Sequence, residues 1–380
     1  MKVTFVNYYY DKDIPIEKYL NRYPTIYGWC KSLVDAGVPV TVYHRFKQNY
    51  SFNRDKIQFI LVNDNLINDL KWYQNPKRFH KKIKENKHDI IHINSFNYSY
   101  QASLLKSSLP DSKIIIQHHA ENPRKWIKQI LIKKFTSLLD GFIFSSEEIY
   151  ANWLQKKIIL KGKRFAEIME GSSNFKFENK NSARSKTRLK GNPIFLWVGR
   201  LNENKDPIKV LSGFLMLLND YPEAKLYMIF SEDNLKKHVL EFISQNSALK
   251  DSVILIGFLD HHLLQDYYNS ADYFVLGSHY EGSGYSVVEA MSCGVVPIVT
   301  DIPSFRMITN NGKTGVLWKA GDSESLYSNA KNILEKDLNT ETIKVLNQFN
   351  NNLSYSAIAE KAKIFYDSIL AIKSIRNCKE

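Results

Sequence analysis

Apolar residues in this chain fall into short, nearly unbroken runs, separated by longer stretches in which they recur at helical spacing. The run "KVTFVNYYY" at 2–10 predicts a strand, "PTIYGWCKSLVDAG" at 24–37 a helix closed by Gly37, and "VPVTVYHRF" at 38–46 a second strand. Further strands are expected at "HDIIHINS" (88–95), "SKIIIQHH" (112–119) and "DGFIFSS" (140–146), with helices around "SYQASLLKSSL", "NPRKWIKQILIKK" and "EEIYANWLQK". Strands that read as continuous apolar runs belong in a parallel sheet covered by helices on both faces. The polar stretch "KFENKNSARSKTRLKGNP" (176–193) reads as a linker, and the pattern then restarts. Five more buried strands are expected at 194–200, 224–231, 252–259, 271–278 and 295–301, and a closing helix in "LSYSAIAEKAKIFYDSILAIKSI". The chain thus reads as α/β, with two doubly wound Rossmann-like domains facing across a cleft. In such sheets ligands bind outside the carboxyl ends of the strands.

Composition narrows the class. At 380 residues, 44% hydrophobic and 24% charged, each half is large enough to bury a core without disulfides or a structural metal. Cys30, Cys293 and Cys378 are far apart and odd in number, which fits a reducing cytosol better than a disulfide framework or a zinc site. Neither a signal peptide nor an apolar run of membrane-spanning length is present in the sequence.

A formal charge of +13 calls for an anionic partner. No zinc-finger spacing, aromatic RNA-binding strand or recognition helix points to nucleic acid. The segment 122–134 interleaves Trp126, Ile127, Ile130 and Leu131 with Arg124, Lys125, Lys128, Lys133 and Lys134. It reads either as a solvated helix whose apolar face is core, or as a basic helix resting on an anionic membrane.

Three strand ends carry suggestive chemistry. The strand 194–200 delivers Arg200, and Lys205 follows across a short loop; the two are either surface cations or a clamp for a diphosphate. In "HYEGSGYSVVEAMSCG" (279–294) glycines open a helix whose free N–H groups and positive dipole end suit a phosphate. There Ser286 and Glu289 also fit a capping box, with Glu289 merely closing the helix start. At the third end His118 and His119 are either structural or aimed at a sugar hydroxyl. Asp11-Lys12-Asp13 matches a D-x-D metal pattern but follows a first strand, and is assigned to its loop.

Together "WVGRLNENKD", "YEGSGYSVVEAMSCGVVPIVTD" and "NNGKTGVLWKAGD" resemble the second-domain signatures of GT-B retaining glycosyltransferases, in particular glycosyltransferase family 4, the glycosyl transferases group 1. The likeness extends over most of 194–370 and is thinner before it. It implies a GT-B fold with an acceptor-binding domain at 1–185, a nucleotide-sugar-binding domain at 186–354, and a terminal helix at about 355–380 packing back on the first. It implies a hexosyltransferase-type enzyme that moves a sugar from a nucleoside-diphosphate sugar to a glycan or lipid-linked acceptor in bacterial cell-surface polysaccharide or lipopolysaccharide synthesis. Arg200 and Lys205 match the cations on the donor diphosphate, and Gly284, Tyr285 and Ser286 the stretch that meets phosphates and sugar. Glu289 matches the ribose ligand, Glu281 and His119 the residues at the reacting centre, and the loop around Gly257 the neighbour of the base. No metal or cofactor is expected, the donor being a substrate. A cytoplasmic protein, peripheral on the inner face of the plasma membrane through its basic first domain, follows. The alternatives are a non-catalytic binding module of the same fold and a GT-B epimerase or phosphorylase. The first loop "NYYYDKDIPIEKYLNRYPT" lacks the glycine pair usual in the family, and "MIFSEDN" replaces a commoner glycine-rich turn, so the base is left open.

Overall fold

The structure, a computed structural model, describes residues 1–122 and 125–371. Arg124, Cys378 and the end of the expected closing helix lie outside the described residues.

The chain divides into two units: Met1–Gly171 together with the chain from Tyr355 onward, and Ser172–Ser354. Among the described residues the first unit holds eight strands: β1 Val3–Asn7, β2 Val40–Arg45, β3 Tyr50–Arg54, β4 Ile57–Val62, β5 Ile90–Asn94, β6 Lys113–Gln117, β7 Gly141–Phe144 and β8 Arg164–Glu167. Their order is β3-β4-β2-β1-β5-β6-β7-β8, parallel except for the β3–β4 hairpin. The hairpin is absent from the pattern reading. Its two-residue turn, Asp55 and Lys56, takes positive φ at both positions, the geometry that matches the twist of paired strands.

The helix Pro24–Asp35 starts with Pro at its first turn and buries Trp29, Cys30 and Leu33. A β-carbon at Gly28 would sit 2.3 Å from the ring of Tyr355, so only glycine lets this helix meet the final helix, Tyr355–Leu370. Those contacts, and the hydrogen bond of Tyr366 to His92, are why the last helix belongs to the first unit.

The second unit is a six-stranded parallel sheet: β9 Ile194–Gly199, β10 Lys225–Phe230, β11 Val253–Gly257, β12 Tyr273–Leu276, β13 Val296–Thr300 and β14 Val316–Trp318, in the order β11-β10-β9-β12-β13-β14. Strand order reverses between β9 and β12, the switch point at which doubly wound sheets take ligands. The stretch expected to be a linker is instead largely a helix, Lys180–Thr187. Asn179 caps it, Ala183 is buried, and Lys180 and Arg184 both pair with Asp272 at 2.6 and 2.8 Å. Anchored by Asp272, this polar segment packs into the second unit, so that the two units divide at 171/172 and not at the expected 185/186.

Buried histidines of the first unit, among them His44, His80, His88 and His92, are held below the ordinary imidazole value by burial. Burial holds His44 and His92 down at about 3 and His80 at about 4. The unfolded chain takes up these protons below about pH 6.5 while the folded chain refuses them, so stability present above that pH falls away as pH drops toward the folded values. Each group removes about 1.4 kcal/mol per pH unit inside its window. Urea unfolding at pH 7 and pH 5 should show a clear loss that His92→Gln reduces; a midpoint equally pH-sensitive in the variant counts against this origin.

Candidate active site

Two loops meet at the switch point of the second unit. Asn202 caps the short turn Glu203–Lys205 by accepting from the Lys205 N–H at 3.2 Å. The Asn204 side chain then bridges both ways to Tyr280, accepting from its N–H at 3.1 Å and donating to its carbonyl at 2.9 Å. His279 bonds Asp206 at 2.9 Å. This lacing brings the buried Lys205 ammonium onto the Glu281 carboxylate, although the two are far apart in sequence. Arg200 stays exposed, with its guanidinium 3.6 Å from Glu232 at the end of β10. Both expected cations are therefore present at the switch point, each beside a carboxylate. In the sequence "MIFSEDN" marks only a departure from the family's turn and gives no sign of Glu232 as a partner of Arg200.

The helix Tyr285–Ser292 begins at Gly284, whose φ of +58 and the 2.5 Å from an added β-carbon to Phe305 exclude any other residue without rearrangement. Glu281 precedes the helix by four residues in the chain. The capping box does not form: Gly284 holds the cap position, Ser286 lies inside the helix, and Glu289 faces away from the helix start. Glu289 Oε1 instead bonds His261 Nε2 at 2.6 Å, and its Oε2 accepts from the Tyr268 hydroxyl at 3.0 Å. The hydrogen bond to Glu289 raises His261 above its ordinary value against the opposing effect of burial. The imidazole stacks on Phe175 with ring centres 4.9 Å apart. His261 and Tyr268 are site residues that no local pattern could announce, because both reach Glu289 from another helix-turn segment. Phe258, beside the positive-φ Gly257, is 69% exposed and offers a ring to solvent.

In the first unit the two histidines after β6 separate. His118 is buried, stacked on Phe144, with Nε2 bonded to the Glu121 carbonyl at 3.0 Å. His119 keeps 29% of its side chain exposed and bonds Glu170 Oε2 through Nδ1 at 2.8 Å. Its backbone N–H donates to Glu121 Oε2 at 2.6 Å, and Glu121 Oε1 accepts from Phe96 N–H at 2.8 Å. Burial works to lower His119, but the carboxylates of Glu170 and Glu121 outweigh it and raise the imidazole above its ordinary value. Asp11, of the D-x-D stretch, accepts from Arg22 at 3.1 Å and from the Asp13 N–H at 3.2 Å. Among the described residues no cluster of three metal-ligating side chains forms.

Two parallel-sheet Rossmann-like units, the second with cations and a glycine-opened helix at its switch point, define the GT-B class of fold. Residues 179–352, nearly all of the second unit, match the family Glycosyl transferases group 1. Mannosylfructose-phosphate synthase of Agrobacterium fabrum is 33% identical over 113 residues, which cover 28% of this chain and 25% of that protein. The GDP-mannose:cellobiosyl-diphosphopolyprenol alpha-mannosyltransferase of Xanthomonas campestris is 26% identical, covering 59% of each chain. These matches span between a quarter and about three-fifths of the relatives' length. The fold likeness runs further: sucrose-phosphate synthase of Thermosynechococcus elongatus superposes with a TM-score of 0.74 at 18% identity, over 98% of this chain and all of that one.

Proposed function

We propose that the chain is a retaining glycosyltransferase of family 4 that transfers a hexose from a nucleoside-diphosphate sugar to a glycan or lipid-linked acceptor in cell-surface polysaccharide synthesis. The observation that carries the reading is the buried Lys205 paired with Glu281, in the loop that leads into the glycine-opened helix Tyr285–Ser292. Breaking the donor bond places positive charge on the anomeric carbon and negative charge on the departing diphosphate. Lys205, Arg200 and the backbone of Gly284, Tyr285 and Ser286 stabilise the diphosphate where that charge develops. Glu281 takes the transferred sugar, Glu289 the ribose hydroxyls, and His119 a place beside the reacting bond. Acceptor binding is assigned to the first unit and donor binding to the second. The basic first unit supports action at the inner face of the plasma membrane, although no helix among the described residues is long and apolar enough to cross it.

The first test is thermal denaturation with UDP, GDP, ADP and CMP and then their sugars, with and without Mg²⁺. A ligand at a hundred times its dissociation constant adds about 2.7 kcal/mol, so one nucleotide diphosphate should raise the melting temperature without metal. No shift with any of them would remove the donor reading.

If Glu289 takes the ribose, His261 competes for it. The pair is strongest while His261 is charged, below its raised folded value, and weakens as pH climbs through that value. Nucleotide affinity should therefore rise from about pH 6 to about pH 9, and His261→Ala should flatten the dependence. Calorimetric titration reads it, and an unaltered pH profile in the variant disproves the competition.

A further inference from the structure

The first unit contains a cavity of about 690 Å³ between the helix Trp126–Thr136, the segment Phe96–Tyr100 that follows β5, and the loop after β4. Leu70, Trp72, Tyr98, Leu131 and Phe135 make most of its wall apolar or aromatic. Lys125 and Lys128 also line it, against a single acidic side chain, Asp69, whose Oδ1 accepts from the Tyr10 N–H at 3.1 Å. Lys128 donates to the neutral Asn97 Oδ1 at 3.1 Å, and the helix Trp126–Thr136 itself carries no acidic residue. The site therefore combines an apolar wall with surplus positive charge, which suits an amphiphilic anion.

The same helix bears a second, independent feature. Trp126, Ile127 and Ile130 are 68%, 57% and 54% exposed, and Lys133 and Lys134 continue the charge on its last turn. Large apolar side chains grouped this way beside lysines are what a helix lying in an anionic membrane interface presents. Ile127 belongs both to this exposed face and to the cavity wall. The exposed apolar face therefore adjoins the mouth of the cavity at Ile127.

We infer that this cavity, with the exposed face of the helix Trp126–Thr136 as its lip, takes a membrane-borne lipid phosphate or diphosphate: Lys125 and Lys128 hold the phosphate and the aromatic wall holds the first part of the lipid chain. In the glycosyltransferase reading, on which the word acceptor depends, this molecule carries the acceptor. The helix thus does more than close the core: its inner face builds the cavity and its outer face meets the membrane.

The test is flotation of the full chain with three vesicle preparations: phosphatidylcholine alone, phosphatidylcholine with phosphatidylglycerol, and phosphatidylcholine with polyprenyl phosphate at matched total charge. Binding should be weakest to the first and roughly tenfold tighter to the third than to the second. Leu131→Trp, which fills the cavity, should erase that excess and keep the response to phosphatidylglycerol; Ile130→Glu should weaken both. Should Leu131→Trp fold poorly, Lys125→Glu with Lys128→Glu, at exposed positions, must erase the same excess with an unchanged melting temperature. Equal binding to the two anionic vesicles, or an excess that survives these variants, overturns the inference. So does full competition by inorganic diphosphate, which would assign the site to a free anion. None of these readings requires sugar transfer, so their failure is separable from failure of the nucleotide titration.

Discussion

Replacing Lys205 by alanine is expected to lower kcat/KM between about tenfold and about 150-fold, corresponding to the roughly 1.5 to 3 kcal/mol of a charge-assisted hydrogen bond to the donor diphosphate. The side chain is only 10% exposed and its ammonium rests on Glu281, itself 15% exposed. Alanine therefore removes the proposed phosphate contact and also leaves a nearly buried carboxylate without its cation. The two consequences separate in a double variant. Lys205→Ala with Glu281→Gln should recover stability while nucleotide affinity stays low; Glu281→Gln by itself should keep nucleotide affinity and lose turnover. Nucleotide affinity measured by calorimetry and turnover measured on the same preparations decide the matter. Wild-type affinity in Lys205→Ala would show that the lysine serves the loop and not the donor.

Arg45→Ala should cost about 3 to 5 kcal/mol of stability, the penalty of leaving a buried charge unpaired. The Arg45 side chain is wholly buried and donates to Asp64 at 2.6 and 3.3 Å. It also donates to the carbonyls of Tyr8 at 3.0 Å, Leu66 at 2.6 Å and Asn68 at 3.2 Å. One guanidinium thus fixes the end of β1 and the loop after β4, the loop that contributes Leu70 and Trp72 to the cavity. Lysine cannot replace that planar fork of donors. Urea unfolding measures the loss, and Arg45→Met with Asp64→Leu should restore part of it, since an apolar pair leaves no stranded charge. A change below about 1 kcal/mol in Arg45→Ala would mean that the carbonyls find water and the network is not structural.

The strands expected at 194–200, 252–259 and 271–278 are present with trimmed ends, because a run of apolar residues flanked by polar ones is a local signal and survives any packing. The outer strand β3 carries no pattern signal because it is polar and exposed, whereas its partner β4 is a buried apolar run. The helix Lys180–Thr187 escaped the pattern reading for a related reason. Its charges resemble a solvated linker until Asp272, distant in sequence, is brought beside Lys180 and Arg184. Ser286 and Glu289 had capping-box spacing, yet the cap went to Gly284, since the left-handed backbone there and the closeness of Phe305 set where the helix begins.

By itself the sequence determined the two α/β units, the strand ends on which Arg200, Lys205, Glu281 and His119 sit, and the positive charge of the first half. The units and strand ends follow from hydrophobic period and from glycine and proline positions, which act over a few residues, and the charge follows from composition alone. Only the tertiary structure decided which groups meet: Lys205 with Glu281, Glu289 with His261 and Tyr268, His119 with Glu170, Arg45 with Asp64. It also decided that the helix Trp126–Thr136 turns Trp126 and Ile130 outward while Leu131 and Phe135 face a cavity. A charge or ring is assigned its role by the neighbour that desolvates or neutralises it, and that neighbour arrives through chain crossings that no local period encodes.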